Sequence, residues 1–268
     1  MANDITDVIK DWISNRLADV NTVMPGRIVD YVPAEQKASV EIVIKRLLNT
    51  EGANKTVDVP AIINVPVVFP ATPKSMLTFP LEKGDGVLVV FSQRSLDVFL
   101  RAADNAPLDP EDFRRFDLTD AIALPGLFGF PSAPNDTAKH SLAHSTDDTV
   151  LQHNMNSGAE VELRLRLDGS VVIQNANGSV TVAADGQIIA TNGTATATLE
   201  TSGEIKLNNG PGSITLLASG TVNINGLTID TAGNLDSGGY VKTSAGKDLD
   251  SHVHSGVTPG GSPTGPPV

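Results

Sequence analysis

The chain has 268 residues, with 31 Asp and Glu against 19 Lys and Arg, a formal net charge of −12 at pH 7 and no cysteine. Affinity for nucleic acid rests on cationic side chains that neutralise phosphates, so this balance argues against a nucleic-acid-binding surface. The absence of cysteine excludes disulfides and thiolate metal sites. We expect neither a secretory signal nor a membrane span, because no basic segment precedes an apolar run and no stretch reaches ~18 apolar residues.

Residues 1–22 predict an N-terminal amphipathic helix. Apolar residues recur at helical spacing through NDITDVIKDWISNRLADV, with Arg16 in the same stripe. The stripe includes Trp12, the only tryptophan of the chain. An isolated helix must bury such a face on its own domain or on a partner. A partner is favoured, because β-rich sequence follows immediately.

Residues 23–105 predict a small β-barrel. Short runs rich in Val and Ile alternate with turn signals, and Gly84-Asp85-Gly86 forms a tight turn before the apolar run Val87–Phe91. About five strands in this length are typical of the oligonucleotide/oligosaccharide-binding (OB) fold. The aromatic platforms and basic groove that bind nucleic acid are missing, so the fold does not supply a function.

Residues 106–160 predict an irregular connector. The stretch LPGLFGFPSAP is apolar but interrupted by Pro and Gly, which is typical of extended chain packed on a surface. His140 and His144 have the i, i+4 spacing of metal ligands on a helix. Because no helix is predicted there, we expect them to be solvated loop histidines.

Residues 161–250 consist of repeated units, each a Gly followed by alternating apolar and polar residues. Examples are DGSVVIQ, NGSVTVA and SGEIKLN. Dipeptides such as Asp-Gly and Asn-Gly favour tight turns, because Gly tolerates positive φ. The four to six residues between turns then form one short strand with one apolar face. The leading glycines are Gly169, Gly178, Gly186, Gly193, Gly203, Gly212, Gly220 and Gly233.

A strand of this length cannot bury its apolar face alone. A parallel β-helix of a single chain needs a longer period, of more than ~18 residues per coil. We therefore predict that three copies form a homotrimeric, intertwined triple-stranded β-helix, with Val, Ile and Leu facing the axis. An antiparallel sandwich is the alternative, since its turns recur at a similar spacing, but the chain is only 4% aromatic.

Residues 251–268 predict a metal-binding tip. His252 and His254 are two apart, so in extended chain both point the same way. Three chains would bring six imidazoles together as an octahedron. Neutral imidazole suits Fe, Ni, Cu or Zn; six-fold coordination disfavours zinc and leaves iron a good candidate. With no ligand position open to water, the site would be structural.

The chain resembles the central spike, or baseplate assembly protein V, family of contractile-tailed bacteriophages. The resemblance covers nearly the whole chain and is most specific in the connector RRFDLTDAIALPGLF and the tail HVHSGVTPGGSPTGPPV. It implies a mainly β fold with an OB barrel and a triple-stranded β-helix. It also implies a homotrimer in the virion, at the tail baseplate, that contacts hub and tail tube proteins and the host envelope. One iron ion per trimer, held by His252 and His254 of each chain, is implied too.

The sequence predicts no catalytic residue. It contains no Gly-x-Ser-x-Gly, phosphate-binding glycine loop with Lys, or His-Glu-x-x-His motif. We therefore expect a non-enzymatic spike that pierces the envelope mechanically when the tail contracts. Two alternatives are a trimeric receptor-binding tail fibre and a polysaccharide-degrading β-helix enzyme.

Overall fold

The computed structural model describes residues 5–50, 53–104, 106–239, 241, 256 and 260. The fold is mainly β with one N-terminal helix, as predicted. The chain divides into two compact units, Met1–Ala133 and Pro134–Val268. Each unit has its own sheets.

In its described residues, the first unit contains two α-helices and nine strands. In chain order they are α1 (Ile5–Ala18), β1 (Val23–Val32), β2 (Lys37–Ile42), β3 (Arg46–Thr50), β4 (Ala53–Val57), β5 (Ile62–Pro66), β6 (Ala71–Thr72), β7 (Ser75–Met76), β8 (Gly86–Phe91), α2 (Asp97–Arg101) and β9 (Ala121–Pro125). The helix predicted near the N-terminus is α1.

Five of these strands form a curled sheet in the order β5-β2-β1-β8-β9. All named pairs are antiparallel. A parallel bridge between Val67 and Ala123 joins the chain after β5 to β9, with the Val68 amide donating to the Ala123 carbonyl oxygen at 2.9 Å. The first and last strands of the sheet therefore meet, as in a five-stranded OB barrel.

Alternation along the strands builds the core of this barrel. β2 and β8 each bury every second residue, because successive side chains point to opposite faces of a sheet. Val40, Val87 and Val89 are fully buried. The last strand, β9, comes from the segment predicted as an irregular connector. Its sequence AIALP is short and ends in Pro, which hides its strand character.

Gly26 lies where β1 crosses the core, and its substitution tests the packing. A Cβ at this position would lie 2.7 Å from Cγ2 of Val89 and 2.8 Å from Cγ1 of Val40. Gly26→Ala is therefore expected to lower the free energy of unfolding by about 1–3 kcal/mol through overpacking. Gly129→Ala is the matched control, since its Cβ would meet nothing closer than 3.8 Å. Urea unfolding of both variants measures the difference, and equal stabilities would contradict this packing.

The described part of the second unit contains one eleven-stranded sheet. Its strands are β10 (Thr149–His153), β11 (Val161–Leu165), β12 (Val171–Asn175), β13 (Gly178–Val182), β14 (Ile188–Thr191), β15 (Thr196–Leu199), β16 (Ile205–Asn208), β17 (Ser213–Leu216), β18 (Val222–Ile224), β19 (Leu227–Ile229) and β20 (Leu235–Ser237). They follow one another in sequence order, each antiparallel to the next. Within the chain they do not form the two-sheet sandwich that was the alternative.

Glycine turns set the spacing of this sheet. At one edge, Gly169, Gly186, Gly203 and Gly220 all have φ near +90° and recur at a constant interval of two strands. Each closes the same turn; the Gly169 amide, for example, donates to the Arg166 carbonyl oxygen at 3.0 Å. Glycine adopts this φ without the strain that a Cβ would cause. The predicted regular strand–turn repeat is confirmed.

Candidate functional site

The register of the eleven-stranded sheet places almost all of its apolar side chains on one face. Residues directly opposite in an antiparallel pair lie on the same side of the sheet. From strand to strand, this rule joins one set of Val, Ile, Leu and Ala residues, which we name the apolar face. Its members are Leu151, Val161, Leu163, Leu165, Val171, Ile173, Val180, Val182, Ile188, Ala190, Ala197, Leu199, Ile205, Leu207, Ile214, Leu216, Val222, Ile224, Leu227, Ile229 and Leu235.

The apolar face is exposed in the single chain. Ile173 is 58% exposed, Leu207 47% and Ile214 43%. The few polar residues on the same side, such as Thr149 and Asn175, lie at strand ends. A continuous exposed apolar surface of this extent marks an interaction site.

The opposite face of the same sheet is polar. Most of its residues are Ser, Thr, Asn, Gln or charged residues: Gln152, Glu162, Arg164, Gln174, Ser179, Thr181, Thr191, Thr196, Thr198, Lys206, Asn208, Ser213, Thr215, Asn223, Thr228 and Asp236. On this face Lys206 pairs with Glu200 and Glu204, with both N–O distances 3.0 Å. The contrast between the faces indicates that the apolar side meets protein. The polar side faces water except around β11, where Glu162 and Arg164 are buried.

A buried ionic cluster stabilises the first strands of the polar face. The Arg164 Nε donates to Glu162 at 2.7 Å, and the Gln174 amide donates to the same carboxylate at 2.6 Å. A second acid, Asp148, has its Oδ2 3.8 Å from the Arg164 guanidinium. Both Glu162 and Arg164 are buried. Removing one member of such a cluster leaves an uncompensated charge, so these groups fix β11 and β12 in place.

Glu160 ties the preceding loops to this end of the sheet. Its carboxylate is 1% exposed and accepts a hydrogen bond from the Leu142 amide at 2.6 Å. Burial alone would raise the pKa of Glu160, but hydrogen bonds from the Asn156, Ser141 and Leu142 amides and the charge of His140 outweigh it and lower the pKa. The stability that Glu160 contributes is therefore present above the ordinary Glu pKa and is lost as the pH falls through the lowered value.

The prediction of solvated loop histidines is wrong for His144. This side chain is buried, and its ring lies 4.9 Å from that of His140, centroid to centroid, in an edge-on arrangement. The His144 Nε2 lies 3.3 Å from the Asn135 Oδ1. The local sequence does not predict this burial, because contacts among irregular loop residues leave no periodic pattern. Among the described residues, no group of three or more His, Asp or Glu is arranged to hold a metal ion.

The predicted metal ligands His252 and His254 lie outside the described residues. The iron site they would form therefore stays a prediction. The donor set itself, imidazole nitrogens alone, fits a transition metal and not Mg²⁺ or Ca²⁺.

The sequence analysis also missed a polar network in the first unit. The Arg114 Nη2 donates to Asp97 Oδ2 and to the Ser95 hydroxyl, both at 2.6 Å. Asp120, 1% exposed, accepts a hydrogen bond from the Leu96 amide at 3.0 Å. Together these contacts tie the stretch RRFDLTD to the start of α2. The density of charges in that stretch was the available signal, although it names no contact.

No described helix is long and apolar enough to cross a membrane.

Comparison with known proteins identifies one part of the chain. Residues 24–126 match the family model of the phage protein Gp138 N-terminal domain. The matched segment is the curled barrel, from β1 to just beyond β9, and covers less than half of the chain. No curated protein matches the chain. The match supports a phage structural protein and, with it, a component of the virion.

Proposed function

We propose that the chain is the central spike of a contractile phage tail, a homotrimer that pierces the host envelope mechanically and without enzymatic activity. The observation that carries the proposal is the apolar face of the eleven-stranded sheet. The resemblance of the whole sequence to the spike family and the phage domain match of the barrel support it.

The shape of the apolar face favours two further copies of this chain as its partners. It is at most three apolar side chains wide and, with eleven strands ~4.8 Å apart, roughly 50 Å long. Two such narrow sheets packed face to face would leave both long margins of their core open to water. Three sheets close a triangular prism around one axis and bury the whole face. In the described strands, this side of the sheet carries no Asp, Glu, Lys or Arg that would specify a different partner.

The same prism suits a puncturing device. A force along its axis acts on a continuous ladder of short strands, each hydrogen-bonded to the next. Three ladders around a dry core resist bending and buckling better than one. The barrel unit would bind hub and tail tube proteins at the baseplate, while the sheet unit would contact the host envelope.

A metal ion would link the C-terminal ends of the three chains. We propose that His252 and His254 of three chains hold one iron ion, which supplies only coordinate bonds between the chain ends. A tip pinned in this way would not splay under load. The site is structural in this proposal, so no reaction step depends on it.

Mass in solution and position in the particle test the proposal together. Sedimentation should give three times the chain mass of 28.0 kDa, and an antibody against the chain should label the tip of the tail. Particles that lack the chain should attach to cells but fail to deliver their genome. A stable dimer would contradict the prism, and labelling on lateral fibres would replace the spike with the receptor-binding fibre.

A further inference from the structure

Helix α1 presents its apolar stripe to solvent. No residue of the helix is buried, and Trp12 is 62% exposed, Ile5 74% and Ile9 51%. A helix of 14 residues is marginal in water on its own. The stripe therefore needs a protein surface to cover it.

Arg16 restricts which surface can cover the stripe. It lies among the apolar residues at helical spacing, and its guanidinium carbon is 5.6 Å from the centroid of the Trp12 ring. Packing three copies of α1 stripe to stripe would bring three Arg16 side chains together, and like charges in a closed contact repel. The charge fits instead an apolar surface that offers a carboxylate.

The first unit carries such a surface, a groove of about 590 Å³ beside α2. We name it the α2 groove; its apolar lining includes Val98, Phe99, Leu108 and Phe113. The Phe113 side chain is 95% exposed, and that of Phe99 is 50% exposed. Large aromatic side chains that are exposed together in this way indicate a docking site for another protein surface.

The α2 groove also offers the carboxylate that Arg16 needs. Its charged lining consists of three acids, Asp109, Glu111 and Asp112, and one base, Arg94. Glu111 pairs with Arg101 at 2.8 Å and Asp112 with Arg114 at 3.2 Å. The side chain of Asp109 makes no ion pair in the described part of the chain, so it remains available to an incoming cation.

We propose that α1 of one copy docks in the α2 groove of a neighbouring copy, with its apolar stripe in the groove and Arg16 beside Asp109. This inference rests on the proposed trimer. Each chain supplies one helix and one groove, and such a head-to-tail contact closes a ring of identical copies. Docking in this way would add a smaller contact between the barrel units of copies that the apolar face brings together.

Cross-linking tests the contact cleanly, because the chain has no native cysteine. The double variant Ile13→Cys with Ala106→Cys places one thiol on the stripe and one in the α2 groove. A short bismaleimide should give covalent dimers and trimers on denaturing gels. The matched control is Ser14→Cys with Ala106→Cys, whose helix thiol lies on the polar side and should cross-link at least tenfold less.

Each remaining outcome has a distinct meaning. If the two thiols cross-link only within a single chain, the result would overturn the proposal in favour of a helix docked on its own chain. An uncross-linked trimer would overturn it in favour of a different partner protein. A chain that sediments as a monomer would instead overturn the proposed trimer itself.

Charge reversal gives a second, independent test. Arg16→Asp should abolish the intermolecular cross-link and shift the emission of Trp12, the only tryptophan, to longer wavelength. Adding Asp109→Arg should restore both signals by exchanging the two charges. A failure of this rescue, with the trimer intact, would exclude the Arg16–Asp109 contact.

Discussion

Leu207→Asp is expected to convert the proposed trimer into monomers. Leu207 lies on the apolar face, opposite Ala197 on one side and Ile214 on the other. In the prism, three carboxylates would be buried at one level of the core without partners, at a cost of several kcal/mol each. Sedimentation of the purified variant measures the loss directly.

Thr215→Asp is the matched control for this experiment. Thr215 is on the neighbouring strand but on the polar face, opposite Lys206. An acid there meets water and a cation, so the trimer should survive unchanged. A Leu207→Asp protein that remained trimeric would show that this face is not the interface between copies.

Purified protein is expected to contain one iron ion per three chains. His252→Ala together with His254→Ala should remove it completely, because no other imidazole pair in the sequence has this spacing and no metal-ligand cluster is found among the described residues. Elemental analysis of protein prepared without chelator gives the identity and the stoichiometry.

The variant should keep the mass of the proposed trimer, since in that trimer the apolar face, and not the metal, would supply most of the buried area. Loss of the metal without loss of the trimer mass would thus show that the metal-binding tip is not needed for the prism to form. Protein with no stoichiometric metal would contradict the proposed metal-bound tip. If that protein were still trimeric, a receptor-binding fibre would become the favoured function. A stoichiometric metal other than iron would support the metal site but contradict the assignment of iron.

Much of this molecule follows from local patterns in the sequence. The stripe of α1, the Gly turns at Gly169 and Gly186, and the alternation in strands such as Ile205–Asn208 each depend on residues a few positions apart. Such patterns determine which residues share a face, so the membership of the apolar face was predictable. The ladder of sequence-adjacent strands adds only short-range pairings.

Contacts between distant parts of the chain were decided only by the tertiary structure. The bridge from Val67 to Ala123, which draws β9 into the barrel, joins residues far apart in the sequence. The burial of Glu160 and His144 depends likewise on loop residues such as Leu142 and Asn135, which contact them. Periodicity reports the direction of a side chain, whereas burial and pairing depend on which distant segment covers it, and no local pattern encodes that.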